Sequence, residues 1–255
     1  ILELCRQYQV RTYLLGNGSN TLFSDAGFGG AVICLTGLNS RFSMQAQPDG
    51  STKVLAPAGM MLSALCNNAQ KESLAGLEFA FGIPGTVGGA VYMNAGAYGG
   101  EMKQIVESVT VLTMGGEEKM LSGEESAFAY RTSVYQTLPC VIVKAVLRLP
   151  PGEPETIGQT MRTLMKKRKA SQPLELPSAG STFKRPTGYF AGPLIEQAGL
   201  KGCGVGGAEV AKKHAGFIVN TGGATAEDIK KTIAMVQSRV WETSGVRLEP
   251  EVRIW

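Results

Sequence analysis

Residues of a kind that do chemistry gather at a few places in this chain. Pro177-Ser178-Ala179-Gly180-Ser181-Thr182-Phe183-Lys184-Arg185-Pro186 packs hydroxyls, a glycine and two cations into one short loop. Such a loop can turn proton donors and positive charge toward a cleft, although a polar connecting loop uses the same residue types. Arg131, in Tyr130-Arg131-Thr132-Ser133, offers a planar fork of donors that grips a carboxylate and stays charged in a dry pocket; a surface arginine at a strand edge is the plainer alternative. Two glycine segments are suited to anions or to a flat ligand, because glycine admits positive φ and lets main-chain N–H groups come close. One is Gly16-Asn17-Gly18-Ser19-Asn20. The other runs from Gly82 through Ile83, Pro84, Gly85, Thr86, Gly88, Gly89, Ala90, Asn94, Ala95 and Gly96 to Gly100. Each alone also reads as a tight turn between buried elements. Neither is a Walker loop, since no Gly-Lys-Ser/Thr follows, and Gly85-Thr86-Val87-Gly88 lacks the Gly-x-Gly-x-x-Gly spacing.

These loops need elements to hold them. Val10–Leu15 and Ala31–Leu35 read as short strands around the first glycine loop, after a helix over Leu2–Tyr8. Thr52–Ala56 is a further strand, and a helix over Met60–Lys71 places Met61, Leu65 and Ala69 on one buried face. Ile105–Met114 and Glu118–Leu121 form a hairpin across Gly115-Gly116. Cys140–Leu149 carries Val141, Val143, Ala145, Leu147 and Leu149 at a strict period of two. Leu149-Pro150-Pro151-Gly152-Glu153-Pro154 is the one proline-dense break and predicts a domain boundary at 150. Beyond it come a helix over Glu155–Lys169, a short helix near Gly192–Gly199, a strand over Gly216–Asn220, and a helix opened by the capping-box pattern Thr225-x-x-Asp228. The helix ending in Lys166-Lys167-Arg168-Lys169 has its charges arranged to suit its dipole, which explains the basic run as a solvated helix end. The chain closes with strand-like residues from Val246 to Trp255 around Glu251.

Composition excludes several classes. With 255 residues, 44% hydrophobic and 18% charged, the chain folds around a real core. A net charge of +4 is mild, and the cations are spread without interleaved aromatics, so nucleic acid is not an expected partner. Five cysteines without a Cys-x-x-Cys pair suit a reducing cytosol rather than a disulfide framework. The single histidine, His214, excludes a histidine-based metal site, so no metal is expected. No apolar run reaches the length of a membrane span, and the expected setting is a cytoplasmic monomer.

The order of these motifs, ending in Glu251-Val252-Arg253, resembles the UDP-N-acetylenolpyruvoylglucosamine reductase family, flavoenzymes of peptidoglycan precursor synthesis, over the whole chain. The resemblance implies an α+β fold: an FAD-binding domain of the PCMH/vanillyl-alcohol-oxidase-like class over residues 1–150, a smaller α+β substrate-binding domain over 151–245, and a C-terminal strand over 246–255 returning to the active-site cleft. It also implies a further N-terminal portion ahead of Ile1 that helps hold the flavin. The two glycine segments then bind noncovalent FAD, their amides converging on its diphosphate. NADPH is the hydride donor, and the substrate is UDP-N-acetylglucosamine enolpyruvate, reduced to UDP-N-acetylmuramate. By the same resemblance Ser181 delivers a proton to the enol carbon, Arg131 engages the carboxylate, and Glu251 assists; Glu249, two positions away, shares its expected strand face. Lys184, Arg185 and Tyr130 are the implied substrate-binding residues. Tyr135 is followed at once by a strand and the proline break, which leaves no room for the tyrosine-bearing insertion of some members, so the chain resembles the shorter, second type. Arg185 stands where the other type has asparagine and meets either diphosphate or uracil. A flavin oxidase with covalent flavin is disfavoured because Gly16–Asn20 contains neither histidine nor cysteine.

Overall fold

The computed structural model describes residues 1–38 and 42–255. Helix α1 (Leu2–Gln7) is followed by β1 (Thr12–Leu15) and β2 (Thr21–Leu22), one on each side of the first glycine loop, and by β3 (Ala31–Cys34). β4 (Ser43–Ala46) and β5 (Thr52–Pro57) lead into α2 (Leu62–Lys71). The long glycine block contains α3 (Val87–Tyr92) and the small ladder of β6 (Gly96–Ala97) with β7 (Gly100–Glu101). β8 (Val106–Thr113), β9 (Glu118–Ser122) and β10 (Cys140–Leu149) precede α4 (Pro154–Ser171). The remainder runs β11 (Ser178–Ser181), α5 (Ala191–Gln197), β12 (Gly204–Val205), β13 (Ala208–Val210), β14 (Phe217–Asn220), α6 (Ala226–Ser244) and β15 (Arg253–Ile254).

Two compact units form, Ile1–Asn17 with Gly30–Lys166, and Gly18–Gly29 with Lys167–Trp255. The first is built on an antiparallel sheet in the order β4-β5-β10-β8-β9, beside a parallel pair β1-β3. Its core joins Val54, Val109, Ala145 and Leu147 of the sheet to Leu62, Leu65, Cys66 and Ala69 of α2 and Val87 and Val91 of α3. Truncating one of the fully buried leucines, Leu65 or Leu147, to alanine removes about 2–5 kcal/mol of stability. Two local expectations shift. Helix α2 starts at Leu62 with Met61 as its cap residue, so Leu62 rather than Met61 heads the buried stripe. β10 does not alternate strictly: its register slips between Ile142 and Lys144, and Ile142 is buried while Val143 is only half-buried. A bulge inserts one residue and reverses the phase of the side chains before it.

The second unit holds an antiparallel sheet in the order β11-β14-β13-β12 and a parallel pair β2-β15. α6 buries Ile233, Val236 and Val240 in a core shared with Leu194 and Ile195 of α5, Val210, Ile218 and Val252. The expected capping box is present, with Asp228 N–H donating to Thr225 Oγ1 and Thr225 N–H to Asp228 Oδ2, both at 3.0 Å. Asp25 adds a second cap from far along the chain, accepting from the main-chain N–H of Ala226 at 2.7 Å and of Glu227 at 3.2 Å. That cap and the β2-β15 pair are why Gly18–Gly29 packs with the C-terminal part. The compact units therefore do not follow the break at 150, although the proline-dense stretch does separate β10 from α4. Ile157 and Met161 of α4 pack into the first core. Lys166, Lys167 and Lys169 are exposed as expected, whereas Arg168 is buried. Regular strand in the last ten residues shrinks to Arg253–Ile254.

Candidate active site

Within the first unit the start of the first glycine segment, Gly16 and Asn17, meets the second. A Cβ added to Gly16 would lie 2.7 Å from Thr86 Oγ1, and Asn17 Nδ2 donates to the Pro84 carbonyl at 2.7 Å. Thr86 Oγ1 accepts from Gly89 N–H at 3.3 Å and so caps α3. The two segments use their amides differently. The N–H groups of Gly85, Val87, Gly88 and Ala90 donate to carbonyls of Ile83, Met60, Ala58 and Thr86, and Gly88 lies so near Ala58 that a Cβ would come within 2.9 Å of its side chain. The N–H groups of Asn17, Gly18, Ser19 and Asn20 meet no acceptor among the described residues. Open consecutive amides at a glycine turn suit a diphosphate. The Gly82–Ala90 block packs against Gly16 and Asn17.

Asn94 is held inside the first unit. It is fully buried with φ +41°, its Nδ2 donates to Glu101 Oε2 and to the Ala129 carbonyl, each at 2.9 Å, and its Oδ1 accepts from Lys103 N–H at 2.9 Å. Every polar atom of the side chain is engaged, which makes Asn94 a brace between the glycine block and the segment leading to Arg131.

Arg131 itself has φ +54°, a left-handed conformation that costs a non-glycine residue about 1–2 kcal/mol. Gln136, which sequence reasoning passed over, donates from Nε2 to the Arg131 carbonyl at 3.0 Å and the Tyr92 carbonyl at 3.1 Å. Ser133 Oγ donates to the same Tyr92 carbonyl at 2.7 Å. These bonds hold the turn in which the Arg131 guanidinium donates to the Gly96 carbonyl at 3.0 Å and lies 5.1 Å from the centre of the exposed Tyr130 ring. Backbone strain retained at one arginine and secured by two neighbours is a pattern of functional turns.

In the second unit the serine loop is an edge strand with a bulge. Ser178 pairs with Val219 and Ser181 with Phe217, and the register breaks between them where Gly180 takes φ +80°. Bulges re-aim side chains, and Ser181 Oγ is left with a long 3.5 Å contact to the Phe183 carbonyl. Glu251 lies alongside: its N–H donates to the Thr182 carbonyl at 2.8 Å, and its carbonyl accepts from Asn20 Nδ2 at 3.2 Å. The end of the first glycine loop, the serine strand and Glu251 are thus joined in one unit. Glu249 pairs with Lys184 Nζ at 2.5 Å. Lys184 is therefore held by an acid, in a partly exposed pair of the kind that contributes only about 0–1 kcal/mol and exchanges readily. Arg185 lies 3.7 Å from the centre of the exposed Phe190 ring. Cys34, with no motif to mark it, places its Sγ 3.1 Å from Thr36 Oγ1 and 3.7 Å from the Gly16 carbonyl, and the Thr36 hydrogen bond lowers its pKa.

Among the described residues no cluster of three or more His, Cys, Asp and Glu is placed to hold a metal ion, and no helix is long and apolar enough to cross a membrane. Residues 1–122 match a family model described as an FAD binding domain. An α+β chain whose first part is such a domain, with a loop of open amides in it, is a flavoprotein. Residues 172–255 match the model described as the C-terminal domain of UDP-N-acetylenolpyruvoylglucosamine reductase. Reductases of that name from Caldanaerobacter subterraneus subsp. tengcongensis and Lachnoclostridium phytofermentans are 46% and 48% identical over 254 residues, covering 100% of this chain and 82% of each relative. The crystal structure of the reductase from Thermus caldophilus superposes with a TM-score of 0.82 at 36% identity, over 99% of this chain and 88% of that one. The chain belongs to the UDP-N-acetylenolpyruvoylglucosamine reductase family.

Proposed function

We propose that this chain reduces UDP-N-acetylglucosamine enolpyruvate to UDP-N-acetylmuramate, with NADPH as reductant and FAD held without a covalent bond, and that Ser181, Arg131 and Glu251 carry the chemistry on the substrate. It acts as a single copy in a reducing cytoplasm, a setting in keeping with the five free cysteines. Residues 1–150 serve the flavin, 151–245 the nucleotide sugar, and 246–255 bring Glu251 to the serine strand.

The residues present fit the flavin: the open amides of Asn17–Asn20 can take its diphosphate, and Gly82–Ala90 packs against Gly16 and Asn17 at its start. When bound, FAD supplies a two-electron store between two substrates that react in turn. The chain's own residues do the rest. The Arg131 fork holds the substrate carboxylate and stabilises the negative charge that develops as hydride adds to the neighbouring double bond. The Ser181 hydroxyl then gives its proton to the adjacent carbon, so hydride and proton together saturate one C=C bond. Glu251, fixed through its main chain to Thr182 and Asn20, is the acid beside the donor. Lys184 and Arg185 supply positive charge for the nucleotide phosphates, and Tyr130 flanks Arg131.

The observation that supports this reading is the bulge at Gly180, which leaves the Ser181 hydroxyl proton in only one long hydrogen bond among the described residues. Rapid mixing tests it. Ser181→Ala should keep its flavin and be reduced by NADPH at the parental rate, while reoxidation by the enolpyruvyl nucleotide slows about 100- to 10,000-fold. Reoxidation at the parental rate with normal product would remove Ser181 as donor and make Glu251 the acid to test next.

A further inference from the structure

His214, the sole histidine, has no part in the chemistry above, yet it is built into the back of the serine strand. It lies in the turn between β13 and β14. Its Nδ1 accepts from Gly216 N–H at 3.0 Å, so the neutral ring carries its proton on Nε2. The ring meets Phe217 edge-on with centroids 5.0 Å apart, and Phe217 is the cross-strand partner of Ser181. Gly216 is the link. Its carbonyl accepts from Thr182 N–H at 2.8 Å. A Cβ on Gly216 would lie 3.1 Å from His214 Nδ1 and 3.6 Å from Ser181 Oγ, so the bare α-carbon fits between imidazole and hydroxyl. On its other side the ring packs toward the start of α5, where a Cβ on Gly192 would come within 3.4 Å of Cε1.

We infer that His214 is a positioning residue for Ser181: by accepting the Gly216 N–H it fixes the plane of that peptide, and through it the Thr182 hydrogen bond and the place of the Ser181 hydroxyl. A hydroxyl that must meet one carbon in line is sensitive to this, because displacement by about 1 Å can cost 100-fold in rate. Tertiary placement alone joins the two residues, which stand far apart in sequence. The inference rests on the reading of Ser181 as proton donor.

The test uses the FAD-loaded full chain. His214→Leu removes the acceptor at similar size, whereas His214→Asn returns an acceptor at about the place of Nδ1. The leucine variant should keep its flavin and its reduction by NADPH, and be reoxidised by the enolpyruvyl nucleotide about 10- to 100-fold more slowly; the asparagine variant should recover most of that loss. The double variant with Ser181→Ala should be no slower than Ser181→Ala alone, since His214 acts only through that hydroxyl. If the leucine variant does not fold, asparagine is compared with His214→Gln, whose acceptor sits one bond farther out, and glutamine should be the slower. The inference is overturned if reoxidation of the leucine variant is parental, if asparagine is no better than leucine or glutamine, or if the two losses multiply. Parental reoxidation by Ser181→Ala instead removes the proton-donor reading and this inference with it, a result distinct from the others.

Discussion

Replacing Gly16 with alanine puts a methyl group 2.7 Å from Thr86 Oγ1, a distance that forces one of them to move. Gly16 is not among the positive-φ glycines, so its backbone admits a side chain and the cost is the collision alone. The movable group is the Thr86 side chain, and moving it breaks the cap that accepts the Gly89 N–H, worth about 1 kcal/mol. Alanine also restricts the unfolded chain relative to glycine, which returns about 0.4–1 kcal/mol. Gly16→Ala in the parental chain should therefore be near neutral to destabilising by about 1 kcal/mol, depending on how fully the collision adds to the lost cap. In a Thr86→Ala background both the obstacle and the cap are already absent, and only the gain of about 0.4–1 kcal/mol remains. The difference between backgrounds, a coupling of about 1 kcal/mol or more, is the quantity the structure specifies. Thermal unfolding of the flavin-free protein measures it without mass-action stabilisation by cofactor, and about 1 kcal/mol corresponds to about 2–4 °C in a unit of this size. An effect of Gly16→Ala that is the same in both backgrounds would refute the contact between the two glycine segments.

Asp25→Ala should destabilise the second unit by about 1–2 kcal/mol, because it removes the acceptor for two N–H groups at the start of α6, while Asp25→Asn keeps an acceptor and loses only about 0.3–1 kcal/mol of charge–dipole interaction. Urea titration reads both, and an alanine variant as stable as the parent contradicts the cap. Burial lowers the His214 pKa below its ordinary 6.5, so as pH falls the unfolded chain takes up this proton first; stability from this group is fully present above about 6.5 and declines as pH drops through the lower folded value. Unfolding midpoints across that window should slope less in His214→Asn, and identical slopes would mean the imidazole is not held neutral. Thiol labelling should find Cys34 ahead of Cys66, whose pKa burial pushes up to about 12, and Thr36→Ala should slow labelling at Cys34; reaction of Cys66 first in the native protein would overturn the ordering.

Local physics is legible in the chain where neighbours in sequence decide the outcome. The hairpin across Gly115-Gly116, the Thr225 capping box, the short helix ending before Gly199 and the strand over Phe217–Asn220 all appear where turn chemistry and periodicity place them. The glycine segments, the serine loop, Arg131 and Glu251 are equally visible, because their residue types are out of keeping with simple core filling. Other features depend on contacts no local pattern encodes. The bulge that unsettles the period of β10, the burial of Arg168 in a basic run, the cap that Asp25 gives to α6 and the clamp of Gln136 on a left-handed Arg131 each join residues through space. The sequence alone determined which side chains were available for chemistry and which short elements carry them. Only the tertiary structure decided that the open amides belong to the first glycine loop, that Asn94 is a brace, that Lys184 is paired with Glu249, and that His214 stands behind Gly216. Hydrogen bonds and close packing are satisfied by whatever group the fold brings within about 3–4 Å, and that neighbour is set by strand pairing between distant segments rather than by spacing along the chain.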